Sequence, residues 1–322
     1  MQDPCWRPNA PIDNLRVRAQ LLAKIRHFFA KRGVLEVETP VLSKCAVSDP
    51  FIDSLEVSFG FRPGIEDERL YLQTSPEYAM KRLLAAGSGD IYSMAKVFRN
   101  GESGRRHNPE FTMLEWYRLG FDDHQLMAEV AALVEMMVPG LQVRYLSYAE
   151  LFEQELGLDP HSAILEQLQQ ACRAHVDAPF EDDDRDTWLN LLMSHVLEPR
   201  LKGAVFIHSY PASMAALAQV HEDEQGRPVA ARFELFVNGI ELANGYHELT
   251  DAAEQKRRLQ ADQQQRAALG LPQRPLEQRL VQALEAGLPD CAGVALGVDR
   301  LVMLALGAEG LDQVVSFMHE RA

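Results

Sequence analysis

Apolar residues recur seven, three and four positions apart between 12 and 32, at Leu15, Leu22, Ile25 and Phe29, and this helical spacing predicts a helix. Asp13 or Asn14 is placed to cap its start, and Gly33 to end it. The period then falls to two across 34–41 (VLEVETPV), a strand that Pro40 terminates or confines to an edge. Short strands follow at 55–61 and 69–72, with a turn at 66–68. Residues 73–87 (QTSPEYAMKRLLAAG) open as a helix does: Thr74 or Ser75 caps, Pro76 takes the first turn, Leu83 and Leu84 supply the apolar face, and Gly87 stops it. The stretch 96–118 reads as strand, polar loop, strand. Period-two alternation puts Phe111, Met113, Glu115 and Tyr117 on one face. An aromatic, a thioether, a carboxylate and a phenol make a poor solvent face and an impure core, which suits a pocket floor.

Helical spacing returns at 122–137, 148–156 and 163–175. The acidic run 181–186 reads as the solvated start of a helix through Trp188, Leu191, Leu192 and Val196. Residues 204–208 form a strand. Strands 233–237 and 240–243 flank Asn238-Gly239, a pair suited to a type I′ turn. Asp251 caps a charged helix over 252–269, another helix covers 276–285, and a glycine-spaced strand (293–297) leads into a helix at 299–306. Strands joined by tight turns pair antiparallel, and there is no βαβ rhythm. The expected class is α+β: a mixed, mainly antiparallel sheet with helices around it, in one domain over 1–322.

Composition narrows the chemistry. The 322 residues are 47% hydrophobic and 25% charged, with a net charge of −15. That balance argues against a broad nucleic-acid-binding face. No apolar run approaches the roughly 18 residues of a membrane span, and residues 1–9 hold no signal core. Cys5, Cys45, Cys172 and Cys291 lie far apart, which reads as free thiols in a reducing cytoplasm.

Four constellations carry candidate chemistry. Arg99 stands where a strand runs into its loop, placed to meet an anion, with Arg105, Arg106, His107 and Asn108 following and Phe111 able to stack on a base. Glu115, Glu234, Glu241 and Glu248 are carboxylates on strand positions, where glutamate is disfavoured; each taken singly reads as an exposed strand glutamate, while together they suggest a cation, either magnesium or an ammonium. Glu241 and Glu248 are seven apart, so a bulge at Asn244-Gly245 is needed to bring them to one face. Glu77 in a helix's first turn is explained by the helix dipole alone. Gly293 to Gly297, then Asp299-Arg300, is a strand–helix joint whose arginine opposes the dipole and asks for an anion. Scattered histidines and the absence of a paired nucleophile leave covalent catalysis unsupported.

Taken in order, these pieces resemble the three motifs of class II aminoacyl-tRNA synthetases: the first helix and strand ending at Pro40, then Arg99 with its loop and HNPEF at 107–111, then the glycine-spaced strand to Asp299-Arg300. QTSPE (73–77) and FELFVNGIELANGYHEL (233–249) are similar to lysyl-tRNA synthetase. The resemblance covers nearly the whole chain. With no room for an anticodon-binding barrel before the first motif, the chain resembles the elongation factor P–lysine ligase family, whose members activate a lysine-type amino acid, preferably (R)-β-lysine, with ATP and pass it to a lysine side chain of elongation factor P. The alternatives are a truncated lysyl-tRNA synthetase charging tRNA, a catalytically inactive regulatory paralogue, and an asparagine synthetase-like enzyme.

The resemblance implies roles. Arg99 and Arg300 are catalytic, with Arg99 on the α-phosphate and Arg300 near the adenine or γ-phosphate. Asn100, Gly101, Glu102, Asn108, Phe111, Glu241, Leu242 and Gly297 complete the nucleotide site. Ser75, Pro76, Glu77, Glu115, Tyr117, Asn244, Glu248 and Ala295 line the amino-acid pocket. Glu241 and Glu248 hold magnesium. A homodimer, a cytoplasmic setting, no membrane and no stable tRNA binding are further expectations. Two departures stand out. Gly101 occupies the place of the usual motif 2 glutamate, with Glu102 following, and Ala295 replaces a glycine, so Ala295→Gly is expected to favour α-lysine over β-lysine. Arg105 and Arg106 are expected to face the acceptor protein.

Overall fold

The structure is a computed structural model. It describes residues 6–60, 68–177 and 179–322. Cys5 and most of the turn expected at 66–68 lie outside the described residues. In chain order the elements begin with α1 (Ile12–Ala30), β1 (Leu35–Glu36), β2 (Leu42–Ser43), β3 (Glu56–Phe59), β4 (Glu68–Leu72), α2 (Glu77–Ala85), β5 (Ile91–Phe98) and β6 (Glu110–Leu119). There follow α3 (Asp123–Met137), β7 (Val143–Ser147), α4 (Tyr148–Leu156), α5 (Leu165–Arg173), α6 (Arg185–Leu192), β8 (Ala204–Pro211), β9 (Val220–Glu222), β10 (Pro228–Val237) and β11 (Ile240–His247). The chain closes with α7 (Ala252–Ala268), α8 (Gln278–Gly287), β12 (Cys291–Gly297) and α9 (Val298–Leu306). The class is α+β, a mixed sheet flanked by helices, as the turn chemistry predicts. Among the described residues no helix is long and apolar enough to cross a membrane.

The chain forms two compact units, one of Met1–Gly120, Thr250–Asp290 and Ala295–Ala322, the other of Phe121–Leu249 and Cys291–Val294. In the first, β1 runs parallel to β5, and β5 pairs antiparallel with β6 in unbroken register from Ile91↔Tyr117 to Phe98↔Glu110. A small sheet, β2-β4-β3, accompanies them. Helix α1 buries Leu21, Ile25, Phe28 and Phe29, so Ile25 and Phe29 of the predicted stripe are buried while Leu21 and Phe28 take the place of Leu15 and Leu22; Phe29 stacks on Tyr92 at 4.4 Å and meets Trp116 edge-on at 5.3 Å. Pro11 precedes this helix and no side chain caps it, so Asp13 and Asn14 do not serve as caps: Asp13 pairs with Arg16 and Asn14 reaches Gln313. The strand expected over 34–41 shrinks to the two residues of β1 before Pro40 ends the pairing. Helix α2 starts at Glu77 behind Pro76. Neither Thr74 nor Ser75 is its cap, although the Ser75 hydroxyl accepts from the Glu77 N–H at 3.0 Å.

In the second unit, β10 is central: it pairs antiparallel with β8, β9 and β11, and β8 in turn pairs parallel with β7. Asn238 and Gly239 carry φ of 51° and 73°, the two positive values that a type I′ turn needs. Trp188, Tyr148, Phe152 and Phe236 are fully buried in its core. Asp122 and Ser147 cap α3 and α4 through reciprocal capping boxes. Within the acidic run, Asp184 caps α6 and the Asp182 carbonyl accepts from the Trp188 indole at 2.9 Å. Strands β7 and β9 have no predicted counterpart. Both are short, and neither alternates between buried and exposed positions, so period two leaves little trace.

Candidate functional site

The β5–β6 hairpin of the first unit sets the first group. The Arg99 backbone N–H donates to the Pro109 carbonyl at 2.9 Å, closing the loop across its neck. The Arg99 guanidinium lies 5.3 Å from the Phe111 ring centroid, and its Nη1 is 3.6 Å from Glu102 Oε1. Its Nε is buried and has no hydrogen-bond partner among the described residues. A guanidinium steered from one face and one edge, with an N–H left over, is arranged for an anion. Gly101 has φ +79°, a conformation that L side chains rarely adopt. That turn explains the glycine and swings Glu102 back toward Arg99, so the carboxylate expected one residue earlier is supplied one residue later.

The rest of the loop is bound into the protein. The Asn100 amide donates to Asp53 at 2.8 Å. Asn108 is buried; its Nδ2 donates to the Glu110 carbonyl at 2.6 Å and its Oδ1 accepts from the His319 N–H at 3.0 Å. Both ends of that amide thus brace the loop. Arg105 pairs with Glu309 at the surface. Arg300 in α9 donates from Nη2 to His107 Nε2 at 2.7 Å. Burial and then the Arg300 charge lower the pKa of His107, which keeps this imidazole neutral and accepting. Asp299, beside Arg300, is buried, pairs with Arg18 of α1 at 2.6 Å and accepts from the Thr112 N–H at 2.9 Å. Gly297 precedes α9, and a Cβ there would meet nothing closer than the Arg300 side chain at 3.8 Å, so packing alone does not demand glycine.

A second group in the same unit gathers around Glu115. This carboxylate is 2% exposed. Oε2 accepts from the Ser75 hydroxyl at 2.6 Å and Oε1 from the Tyr117 hydroxyl at 2.7 Å. The Glu115–Tyr117 contact realises the shared face predicted from alternation. Neither of these donors is charged. Glu77 differs: the buried Lys81 ammonium, one helical turn on, sits 2.7 Å from its Oε1. That partner has a sequence signal, the i,i+4 spacing of Glu and Lys, which the expectation for Glu77 did not use. Pro76 begins α2, and Ala295 is half-buried in β12.

In the second unit the strand glutamates separate. Glu234 meets a cation of its own chain: Arg232 Nη2 donates to Oε1, the Asn244 amide reaches the same oxygen at 3.2 Å, and the Tyr210 hydroxyl donates to Oε2 at 2.8 Å. The pair had a signal in sequence, opposite charges at i and i+2 on one strand face. Burial, the largest single influence, lowers the pKa of Arg232, but Glu234 together with Tyr246 and Tyr210 outweighs it and the net direction is upward. Glu241 and Glu248 require a register change, and it is present at a different place from the one predicted. Leu235 faces Ala243 while Phe236 faces Glu241, so Leu242, not Asn244-Gly245, is the extra residue. The bulge re-phases β11 and puts Glu241 on the same face as Asn244, with Glu248 following by alternation. Gly245 is needed for another reason: a Cβ there would lie 2.4 Å from the Phe233 ring. Glu241 is exposed and Glu248 buried. Their hard oxygens are the donor type that magnesium takes. No cluster of three or more His, Cys, Asp or Glu capable of holding a metal occurs among the described residues, so an ion here would also draw ligands from phosphate or water.

The chain matches a family described as tRNA synthetases class II (D, K and N) over residues 6–321. It is similar to a protein named elongation factor P–(R)-β-lysine ligase of Salmonella paratyphi B (strain ATCC BAA-1250 / SPB7), with 51% identity covering 98% of each chain. The protein of the same name from Salmonella typhimurium (strain LT2) is also 51% identical, again over 98% of both chains.

Proposed function

The chain belongs to the class II tRNA synthetase family of the D, K and N type, and we propose that it is an ATP-dependent ligase that activates (R)-β-lysine and transfers it to a lysine side chain of elongation factor P. Near-full-length similarity to ligases of that name carries the reading. The family match spans both compact units, which supports treating 1–322 as one catalytic domain.

Activation requires the amino-acid carboxylate to attack the α-phosphorus of ATP in line, forming the acyl-adenylate and releasing pyrophosphate. The acceptor amine, deprotonated, then attacks the anhydride carbonyl and releases AMP. Neither step needs a protein nucleophile, so positioning and charge do the catalysis. Arg99, with its unspent N–H, holds the α-phosphate and the approaching carboxylate. Phe111 stacks on the adenine. Arg300, which donates to the neutral His107, carries the charge that meets the nucleotide phosphates. Asn100, Gly101, Glu102 and Asn108 shape the loop, Leu242 sets the bulge, and Gly297 leaves room for the nucleotide. Glu241 and Glu248 hold magnesium, which offsets phosphate charge.

By the family resemblance, Ser75, Pro76, Glu77, Glu115, Tyr117 and Ala295 of the first unit, and Asn244 and Glu248 of the second, are assigned to the amino acid. Glu115 is the charge centre among them: a carboxylate 2% exposed, on the strand face it shares with Tyr117, has the sign and the burial that suit a substrate ammonium. Lys81 already offsets Glu77, so Glu77 contributes position more than charge. Arg106 faces the acceptor protein, and Arg105 adds little while it pairs with Glu309. The exposed apolar residues Leu35, Leu42, Phe51 and Phe59 support a homodimer through the N-terminal segment. The net charge of −15 supports a protein acceptor over stable tRNA binding, and described cysteines that form no disulfide with one another, Cys45, Cys172 and Cys291, suit the cytoplasm. Pyrophosphate exchange tests the first half-reaction: exchange dependent on (R)-β-lysine is expected, and no exchange with any lysine isomer overturns the reading.

A further inference from the structure

Glu234 faces Asn244 across the β10–β11 pair, yet both of its oxygens are already engaged within the chain. Arg232 and Asn244 donate to Oε1, and Tyr210 donates to Oε2. Arg232 is itself clamped. Its Nη1 donates to the Met214 carbonyl at 2.9 Å, and its guanidinium lies 4.6 Å from the Tyr210 ring centroid and 5.9 Å from that of Tyr246. Such a glutamate is closed to an incoming ligand. Its effect falls on Asn244. A carboxylate only accepts, so the Asn244 amide must turn its NH2 group to Glu234. The Oδ1 atom is then directed elsewhere, and it is buried with no hydrogen-bond partner among the described residues. A buried carbonyl oxygen without a donor is costly and is tolerated where a donor arrives.

We infer that Glu234, held by Arg232 and Tyr210, is a positioning residue that locks the Asn244 amide so that Oδ1 stands ready to accept a hydrogen bond from an ammonium group of the lysine-type substrate. The inference rests on the proposed activity. An asparagine amide is nearly symmetric in shape, so sterics alone do not choose between its two orientations. The flipped form turns N–H groups toward the ammonium, which has only donors. Locking the amide removes the population that cannot bind and so lowers the apparent KM for the amino acid without touching the nucleotide.

Amino-acid-dependent pyrophosphate exchange on the full chain tests this, with wild type, Glu234→Gln, Asn244→Ala and the double variant. Glutamine keeps the shape of Glu234 but can offer Asn244 an N–H, which releases the flip. Glu234→Gln is expected to raise the amino-acid KM about tenfold while the ATP KM stays within about twofold. In the Asn244→Ala background the same change is expected to do nothing further to the amino-acid KM. An unchanged KM in Glu234→Gln, or full additivity in the double variant, overturns the inference alone. A wild-type protein without exchange overturns the activity and the inference together. Should Glu234→Gln fail to fold, Arg232→Lys replaces it; the same split of amino-acid KM from ATP KM is expected, and an unchanged amino-acid KM refutes the lock.

Discussion

Replacing Glu115 by glutamine isolates the charge of the amino-acid pocket. The side chain is 2% exposed, and its two oxygens accept from Ser75 and Tyr117 at 2.6 and 2.7 Å. Glutamine keeps the volume. One hydroxyl then rotates to donate to Oε1 and the other to accept from the new NH2, so packing survives. Relief from burying a carboxylate offsets part of the charge-assisted bonding lost, which is worth about 1.5–3 kcal/mol per bond. Substrate binding has no such offset. A buried ammonium that loses its carboxylate costs about 3–5 kcal/mol. The lower end applies here because the Ser75 and Tyr117 oxygens can still accept. About 3 kcal/mol is on the order of a 150-fold fall in kcat/KM for (R)-β-lysine. The assay is pyrophosphate exchange with amino acid varied at saturating ATP, then the reverse, alongside urea unfolding. The ATP KM is expected to stay within about twofold. Equal losses toward both substrates, or an amino-acid loss under about fivefold, would remove Glu115 from the ammonium site.

Asp299→Ala leaves Arg18 and the Thr112 N–H without their buried partner, and a loss of about 3–5 kcal/mol is expected by urea unfolding, whereas Asp13→Ala, which breaks an exposed pair, should cost under about 1 kcal/mol; similar costs for the two would contradict the buried linkage. Gly101→Ala meets no atom within 4 Å but must hold φ +79°, so a cost of about 1–2 kcal/mol or a raised ATP KM is expected, while Gly104→Ala, also in open space and without positive φ, should be silent. The folded His107 titrates below its ordinary 6.5 because of burial and Arg300, so between its folded midpoint and 6.5 the unfolded chain binds more protons. Stability therefore rises with pH across that window and is lost as pH falls through it, and an NMR midpoint for His107 at or above 6.5 would show that the imidazole does not stay neutral against Arg300.

What the sequence made legible follows from which signals are local. Turn chemistry at Asn238-Gly239 and period-two alternation at Glu115 and Tyr117 are written within a few residues, and both appear in the structure as read. The cap of α1 and the buried stripe of the same helix are decided by what lies across from it, Tyr92 and Trp116, and could not be read from spacing. The bulge was foreseeable as a necessity, since Glu241 and Glu248 have opposite parity, but its location at Leu242 depends on the register with β10. Glu234 was misjudged for a related reason. A glutamate among apolar strand residues does signal a cation, and the cation proved to be Arg232, two residues away on the same strand. Gly101 shows the converse: a departure from a motif became intelligible once its φ was known.

The central claim is that the activated amino acid goes to a protein. Intact-mass measurement of elongation factor P after incubation with this chain, ATP and (R)-β-lysine tests it most directly, with deacylated lysine tRNA as the parallel acceptor. The account predicts a mass increase of one β-lysyl group on a single elongation factor P lysine, dependent on ATP, and no charged tRNA. Unmodified elongation factor P beside lysyl-charged tRNA would contradict it.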